Sequence, residues 1–397
     1  MWKFPWKLSE SLFFGFGLLL TGFLIEIVSR VEISAPAWPL NLIVILVFAF
    51  IIILCGIFLK NNPFIKWLSG INAAISAIVF FTGLTVLMGL IPQLPTDNKF
   101  ISHLGLNRIT SSFPYAILLI YFLTSLGFVT IKRLKPFNKK NLGFFFNHFG
   151  LWLVIISANL GTGDLQKLNM TVNENQTEWR AVDEYNQVIE LPIAIELKDF
   201  DIEEFNPKLL IFNNQTSEIE SKPYLIDTIN NIFHLNDYEI AIEKFYKYSS
   251  WYNDSFHKML EIGNPSSVFV KIKLAGNIIT EGWISSETFI QRQRNLQIDS
   301  LYTIVMVAPE PKRYFSEITV YSDNDETIKT TLEVNKPLRI NGWTLYQVSY
   351  DETKGKWSNY SIIQFVRDPW LPVVYIGIGF LIIGVFFIII RGEKLKH

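Results

Sequence analysis

Six apolar runs, near residues 11–29, 40–59, 68–91, 113–131, 147–162 and 371–390, constrain this 397-residue chain more than any other feature. A helix needs roughly 20 apolar residues to cross a hydrocarbon core, and each run meets or nearly meets that length. The fifth is the shortest and borrows Phe144, Phe145 and Phe146 to reach it. Half of the residues are apolar, yet 18% are charged, so the spans must share the chain with a water-exposed domain. The expected fold is a polytopic α-helical membrane protein of about six spans with a large, mainly β exported domain before the last one. Its parts read as two N-terminal spans over 1–60, a three-helix core over 61–162, a β-rich domain over 163–368, and a final span with a short tail over 369–397.

Charge orients the spans without conflict. Lys3, Lys7, Lys60, Lys66, the run from Lys132 to Lys140, and Arg391, Lys394 and Lys396 alternate in side with Arg30, Lys99 and Arg108. The positive-inside rule then puts both termini in the cytoplasm and the 163–368 segment outside the cytoplasmic membrane. The first span keeps Glu26 and has no small-residue cleavage site, so it reads as a retained span and not a signal peptide.

From about residue 186 the apolar pattern changes to alternation, with Ile193, Ile195 and Leu197 set against Ala194, Glu196 and Lys198. Similar runs at 237–247, 265–275, 301–308, 315–321, 326–333, 338–349 and 360–367 predict half-buried strands, arranged as a sandwich or a pair of packed sheets. Asn341-Gly342 suits a two-residue hairpin turn. The one cysteine, Cys55, falls in the second span, which excludes a disulfide scaffold and a C-x-x-C exchange centre. A net charge of −1 gives no nucleic-acid footprint. His234 and His257 have no partner at metal-ligand spacing, and the acidic run from Asp199 to Glu204 lacks the glycine of a calcium loop and reads as a solvated strand end. Trp343, Tyr346 and Tyr350 read as core and rim packing.

The residue that stands apart is His148, in Asn147-His148-Phe149-Gly150-Leu151-Trp152, at the edge of the fifth span and just after the basic loop. An imidazole there admits two readings, a ligand for a metal or haem iron entering the bilayer and an interfacial histidine with no chemical role.

Three separated segments resemble the ResB family of cytochrome c biogenesis proteins, called CcsB in fused forms, of the system II haem-attachment pathway. The first is His103-Leu104-Gly105-Leu106-Asn107-Arg108-Ile109-Thr110-Ser111-Ser112-Phe113-Pro114-Tyr115 with the span ending at Lys132-Arg133. The second is His148-Phe149-Gly150-Leu151 with Ser157-Ala158-Asn159-Leu160-Gly161. The third joins the stretch from Gly342 to Asp351 to Arg367-Asp368-Pro369-Trp370-Leu371-Pro372. In this order and topology the resemblance covers roughly residues 68–391. The two spans before it are additional to the family's three-plus-one arrangement, and Thr130 and Ile131 stand where relatives often have a cysteine.

The resemblance implies a subunit of a cytochrome c haem lyase with no complete catalytic site of its own. It assigns transient haem b ligation to His148, with His103 as second choice for an external ligand. The implied partners are a CcsA-type haem-handling membrane protein carrying the family's tryptophan-rich segment, apocytochrome c, and the pathway's thioredoxin-like thiol reductase, all acting among membrane lipid. Two other classes compete. A membrane-anchored sensor or ligand-binding protein would gain from a cytoplasmic signalling domain, and only Arg391 to His397 follows the last span. A secondary transporter would show inverted repeats, and none pairs the first three spans with the next three.

Overall fold

The computed structural model describes residues 3–134, 141–220, 222–226, 232–235, 237–259, 264–324 and 326–393. Lys135, Lys139, Lys140, Lys394 and Lys396, which carry part of the charge asymmetry, lie outside the described residues. The chain forms two compact units, one of Met1–Leu165 with Asp368–His397 and the other of Gln166–Arg367.

The first unit is helical: α1 (Leu8–Ser29), α2 (Leu40–Phe58), α3 (Pro63–Leu68), α4 (Ile71–Leu90), α5 (Lys99–His103), α6 (Phe113–Leu134), α7 (Leu142–Leu160) and α8 (Leu371–Glu393). Among the described residues six helices are long and apolar enough to cross a membrane, namely all but the short α3 and α5, so this is a multi-pass membrane protein. The third apolar run does not start as one helix. Its first residue, Leu68, closes α3, and the chain turns at Gly70, where a Cβ would come within 2.9 Å of the Trp67 carbonyl oxygen. The fifth helix begins at Leu142, five residues before the expected 147. The Phe144–Phe146 row extends it, with Phe146 stacked on Phe380 and Phe387 of α8 at 5.6 and 5.9 Å.

α6 is the most buried span and packs against α1, α2, α4 and α7. Lipid offers no hydrophobic drive between helices, so close backbone approach and interhelical hydrogen bonds must hold them together. Ser11 of α1 accepts from Trp67 Nε1 at 2.8 Å, Ser76 of α4 donates to the Ser11 carbonyl at 2.6 Å, and Tyr121 and Ser125 of α6 donate to the carbonyls of Ala73 and Leu68. Glycines spaced by seven form the α7–α8 seam, Gly143 and Gly150 facing Gly377 and Gly384. A Cβ on Gly150 would stand 2.7 Å from the Gly377 oxygen and 2.9 Å from the Leu381 nitrogen, both backbone atoms that cannot step aside. Gly150→Val is therefore expected to force the helices apart at a cost of about 1–3 kcal/mol and lower the protein level in the membrane; an unchanged level and melting temperature in detergent would refute the seam.

The second unit is mainly β: β1 (Gln166–Asn173), β2 (Thr177–Val182), β3 (Val188–Glu204), β4 (Lys208–Asn213), β5 (Tyr224–Leu225), β6 (Ile232–Leu235), β7 (Tyr238–Tyr246), β8 (Ser249–Tyr252), β9 (Ser255–Lys258), β10 (Ser267–Leu274), β11 (Asn277–Ser285), β12 (Leu296–Gln297), β13 (Tyr302–Val307), β14 (Pro311–Ser322), β15 (Thr327–Glu333), β16 (Leu338–Ile340), β17 (Trp343–Tyr350) and β18 (Tyr360–Arg367). Eight strands make one antiparallel sheet in the order β15-β14-β3-β2-β1-β18-β17-β16. The sheet curls until it nearly closes. Ser316 of β14 hydrogen-bonds both Gln347 of β17 and Ser361 of β18 at 2.8 Å, although three strands, β3, β2 and β1, lie between β14 and β18 in the sheet order. Inside lie Met170, Val172, Ile193, Ile195, Leu197, Val320, Leu345, Ile363 and Phe365, the inward members of the alternating runs. Between β3 and β14 the chain builds two four-stranded sheets, β11-β10-β7-β6 and β12-β13-β4-β5, around Ile211, Ile240, Ile242, Val270, Ile272 and Ile304. The mainly β expectation holds, with a nearly closed sheet beside the packed pair. Asn341 and Gly342, at φ +49° and +78°, make the hairpin turn between Ile340 and Trp343.

Candidate functional site

His148 lies six residues into α7, about 9 Å along its axis at 1.5 Å per residue. The Leu142 start places it there. Its Nδ1 is 3.0 Å from the Phe144 carbonyl oxygen. A carbonyl only accepts, so Nδ1 carries the proton, and in the neutral ring the lone pair is on Nε2. Nε2 has no hydrogen-bond partner among the described residues. This is the arrangement in which a histidine ligates iron or another metal, one nitrogen anchored to backbone and the other presented.

The imidazole stacks on the Phe144 ring at 3.6 Å between centroids and 20° between planes, and the Arg133 guanidinium of α6 covers the same ring at 4.9 Å. Beside them an open trough of about 180 Å³ runs between α2, α6 and α7, lined by Ile52, Gly127, Ile131, Leu134, Phe145 and Phe149 among others. Pockets that enclose a drug-sized ligand run to about 300–1,000 Å³, so this trough is too small to enclose one.

His103 ends α5, exposed, in the segment between α4 and α6. That segment joins the start of α6, whereas His148 follows its end, so the structure does not bring the two histidines together and α6 separates them. The residues after His103 have a different task. Gly105, at φ +64°, packs directly on the carboxylate of Glu26, which is fully buried near the end of α1. Arg108 Nη2 pairs with Glu26 Oε1 at 2.7 Å, and the Phe113 amide at the start of α6 donates to Oε2 at 2.9 Å. Glu26 thus neutralises Arg108 and satisfies a free amide of a helix N-terminus.

A second hub escaped the sequence reading. Asp164 accepts from the Trp38 amide at 2.7 Å, from Asn41 Nδ2 at 2.7 Å and from Trp370 Nε1 at 2.6 Å, which ties the starts of α2 and α8 to the end of α7. Asn41 was the available signal, a fully buried amide in an otherwise apolar run.

The β unit offers no comparable site among its described residues. His234 on β6 and His257 on β9 are exposed and belong to different sheets, and His257 is engaged by Ser255 and the Tyr252 carbonyl. The acidic run from Asp199 to Glu204 is the second half of β3, with Phe200 and Ile202 buried and Glu203 paired to Lys312 and Arg313 at 2.7 and 2.6 Å. Glu204 pairs with Lys356. Burial would lower the Lys356 pKa, but the Glu204 carboxylate and the Tyr248 hydroxyl hold it above the ordinary lysine value. No group of three or more histidine, cysteine or acidic residues among the described residues suits a metal ion.

Fold and site together define a multi-pass membrane protein with a β domain between its last two spans in sequence and, in the helix before that domain, a histidine anchored through Nδ1. Residues 283–360 match the model of the ResB-like family. The matched stretch runs from β11 to the first residue of β18 and contains Gly342 to Asp351, so the ResB resemblance is borne out there. No curated protein matches the chain.

Proposed function

We propose that this protein is a membrane subunit of a cytochrome c maturation machine of the system II type, which presents haem through His148 to a CcsA-type partner. The observation that carries this reading is the ResB-like match in a chain whose one span-embedded histidine among the described residues leaves Nε2 free. His148 would supply one nitrogen to the iron, and its Nδ1–H bond to the Phe144 carbonyl fixes the ring's orientation and its donor tautomer. The walls of Ile52, Ile131, Phe145 and Phe149 would keep water from the porphyrin edge. Haem bound there supplies the iron and the vinyl groups that thioether attachment uses. The trough is too small to enclose a porphyrin, which supports completion of the site by the partner. Apocytochrome c would meet the machine on the exported side, its thiols kept reduced by a thioredoxin-like reductase, since Cys55 is alone. His103 is proposed as a possible ligand on that side only.

Two measurements test the reading. The full-length protein purified in detergent should give a Soret band shifted to the position of imidazole-ligated haem when haem is added; no such band would defeat it. Reporter fusions after Lys139 and after Lys222 should report opposite sides of the membrane, inside and outside in that order. The same side for both would reverse the path and remove His148 from the cytoplasmic approach.

A further inference from the structure

We infer that Arg133 is the carboxylate-recognising residue of this site and reads the acid side chains of the porphyrin whose iron His148 would bind, an inference that rests on the proposed haem reading. Arg133 occupies the last turn of α6 with an exposed side chain, and no carboxylate pairs with it among the described residues. It is nevertheless held in place. Its guanidinium lies over one ring, Phe144, at 4.9 Å, and that same ring carries the His148 imidazole at 3.6 Å. Phe144 therefore brings a permanent cation and a free nitrogen lone pair close to each other.

The neighbouring residues complete a pattern. Phe145 and Trp152, three residues before and four after His148 and so its neighbours on the α7 surface, line the apolar trough, as does Leu134 at the end of α6. A ligand matching all three features has a metal centre that takes a nitrogen donor, a flat apolar body, and an acid group at its edge. A metalloporphyrin with carboxylate side chains is such a molecule. A lipid phosphate would satisfy the guanidinium and make no use of the imidazole. Guanidinium is the cation suited to this role, because it stays charged and offers a planar fork of donors that matches a carboxylate.

The test compares haem with its dimethyl ester, in which both acids are masked, by titrating each into the full-length protein in detergent and following the Soret band. The wild-type protein should bind haem roughly tenfold more tightly than the ester, the factor expected for one charge-assisted carboxylate contact. Arg133→Gln should abolish that preference while the bound haem keeps the wild-type band position, and Arg133→Lys should restore part of it. Comparing the ratio of the two affinities between wild type and variant cancels the different solubilities of acid and ester. If Arg133→Gln keeps the wild-type ratio, the guanidinium serves something else, such as lipid phosphate, and the inference falls while the His148 reading stands. If the wild-type protein shows no imidazole-ligated band with either porphyrin, the His148 reading falls and takes this inference with it.

Discussion

Replacing His148 by alanine is expected to leave the protein near its normal level in the membrane while cutting maturation of c-type cytochromes to roughly a tenth or less. Losing even an outer-shell partner of a metal ligand commonly costs about 10–100-fold, and the ligand itself is worth at least as much. The structural cost is small by comparison. The imidazole stacks on Phe144 and shares a carbonyl that already belongs to the helix. Its removal forfeits about 0.5–1.5 kcal/mol of ring packing and opens no enclosed cavity, because the side chain is only half-buried. Exogenous imidazole can occupy the vacated position and should restore part of the activity, which no purely structural defect would allow. His103→Ala, at an exposed helix end, should have a smaller effect. Normal protein level with wild-type maturation in His148→Ala would reduce this residue to packing. A lost protein level would instead mean that the stack with Phe144 matters for folding more than its geometry implies.

Glu26→Ala should be the most destabilising single substitution in the helical unit, at about 3–5 kcal/mol, the usual cost of breaking a buried pair from one side. Glu26 has no exposed surface, and Arg108 is about four-fifths covered at 19% side-chain exposure. Without the carboxylate, Arg108 retains only the 3.5 Å approach to Glu32, which is 71% exposed, and the Phe113 amide loses its acceptor. Replacing both ends, Glu26→Leu with Arg108→Met, should recover more than half of the loss, since no uncompensated charge then remains. Thermal unfolding in detergent reads both numbers. A double variant as unstable as the single one would show that the carboxylate matters chiefly as the cap of α6, through Phe113.

How far these sites could be seen in advance depends on how local their physics is. The His148 signal is a single ionisable residue against a run of apolar ones, legible wherever it occurs. Its depth was not legible, because the start of α7 depends on Phe146 stacking against Phe380 and Phe387, more than 200 residues later. Likewise Glu26 was visible as an acid in a span, but its partner Arg108 lies 82 residues away. Asp164 looked like an ordinary polar residue at a span's end until three donors from different helices converged on it. In the β unit, β1 and β2 precede the first strand expected at about 186; Leu168, Met170 and Val172 do alternate, but the polar run from Asn173 to Thr177 cuts the pattern to three positions.

Length and hydropathy alone determined the six spans, because a bilayer core demands about 20 apolar residues whatever the helices do next. Period-two alternation and the turn pair Asn341-Gly342 determined the β character of the remainder, since each depends on backbone geometry within a few residues. Only the tertiary structure decided that eight strands nearly close on themselves, that glycines at 143, 150, 377 and 384 meet across one seam, and that Arg133 and His148 share a single phenyl ring. Those outcomes depend on which distant surfaces pack best, a balance of dispersion, buried polar pairing and chain entropy summed over the whole molecule, and no local window of sequence contains that sum.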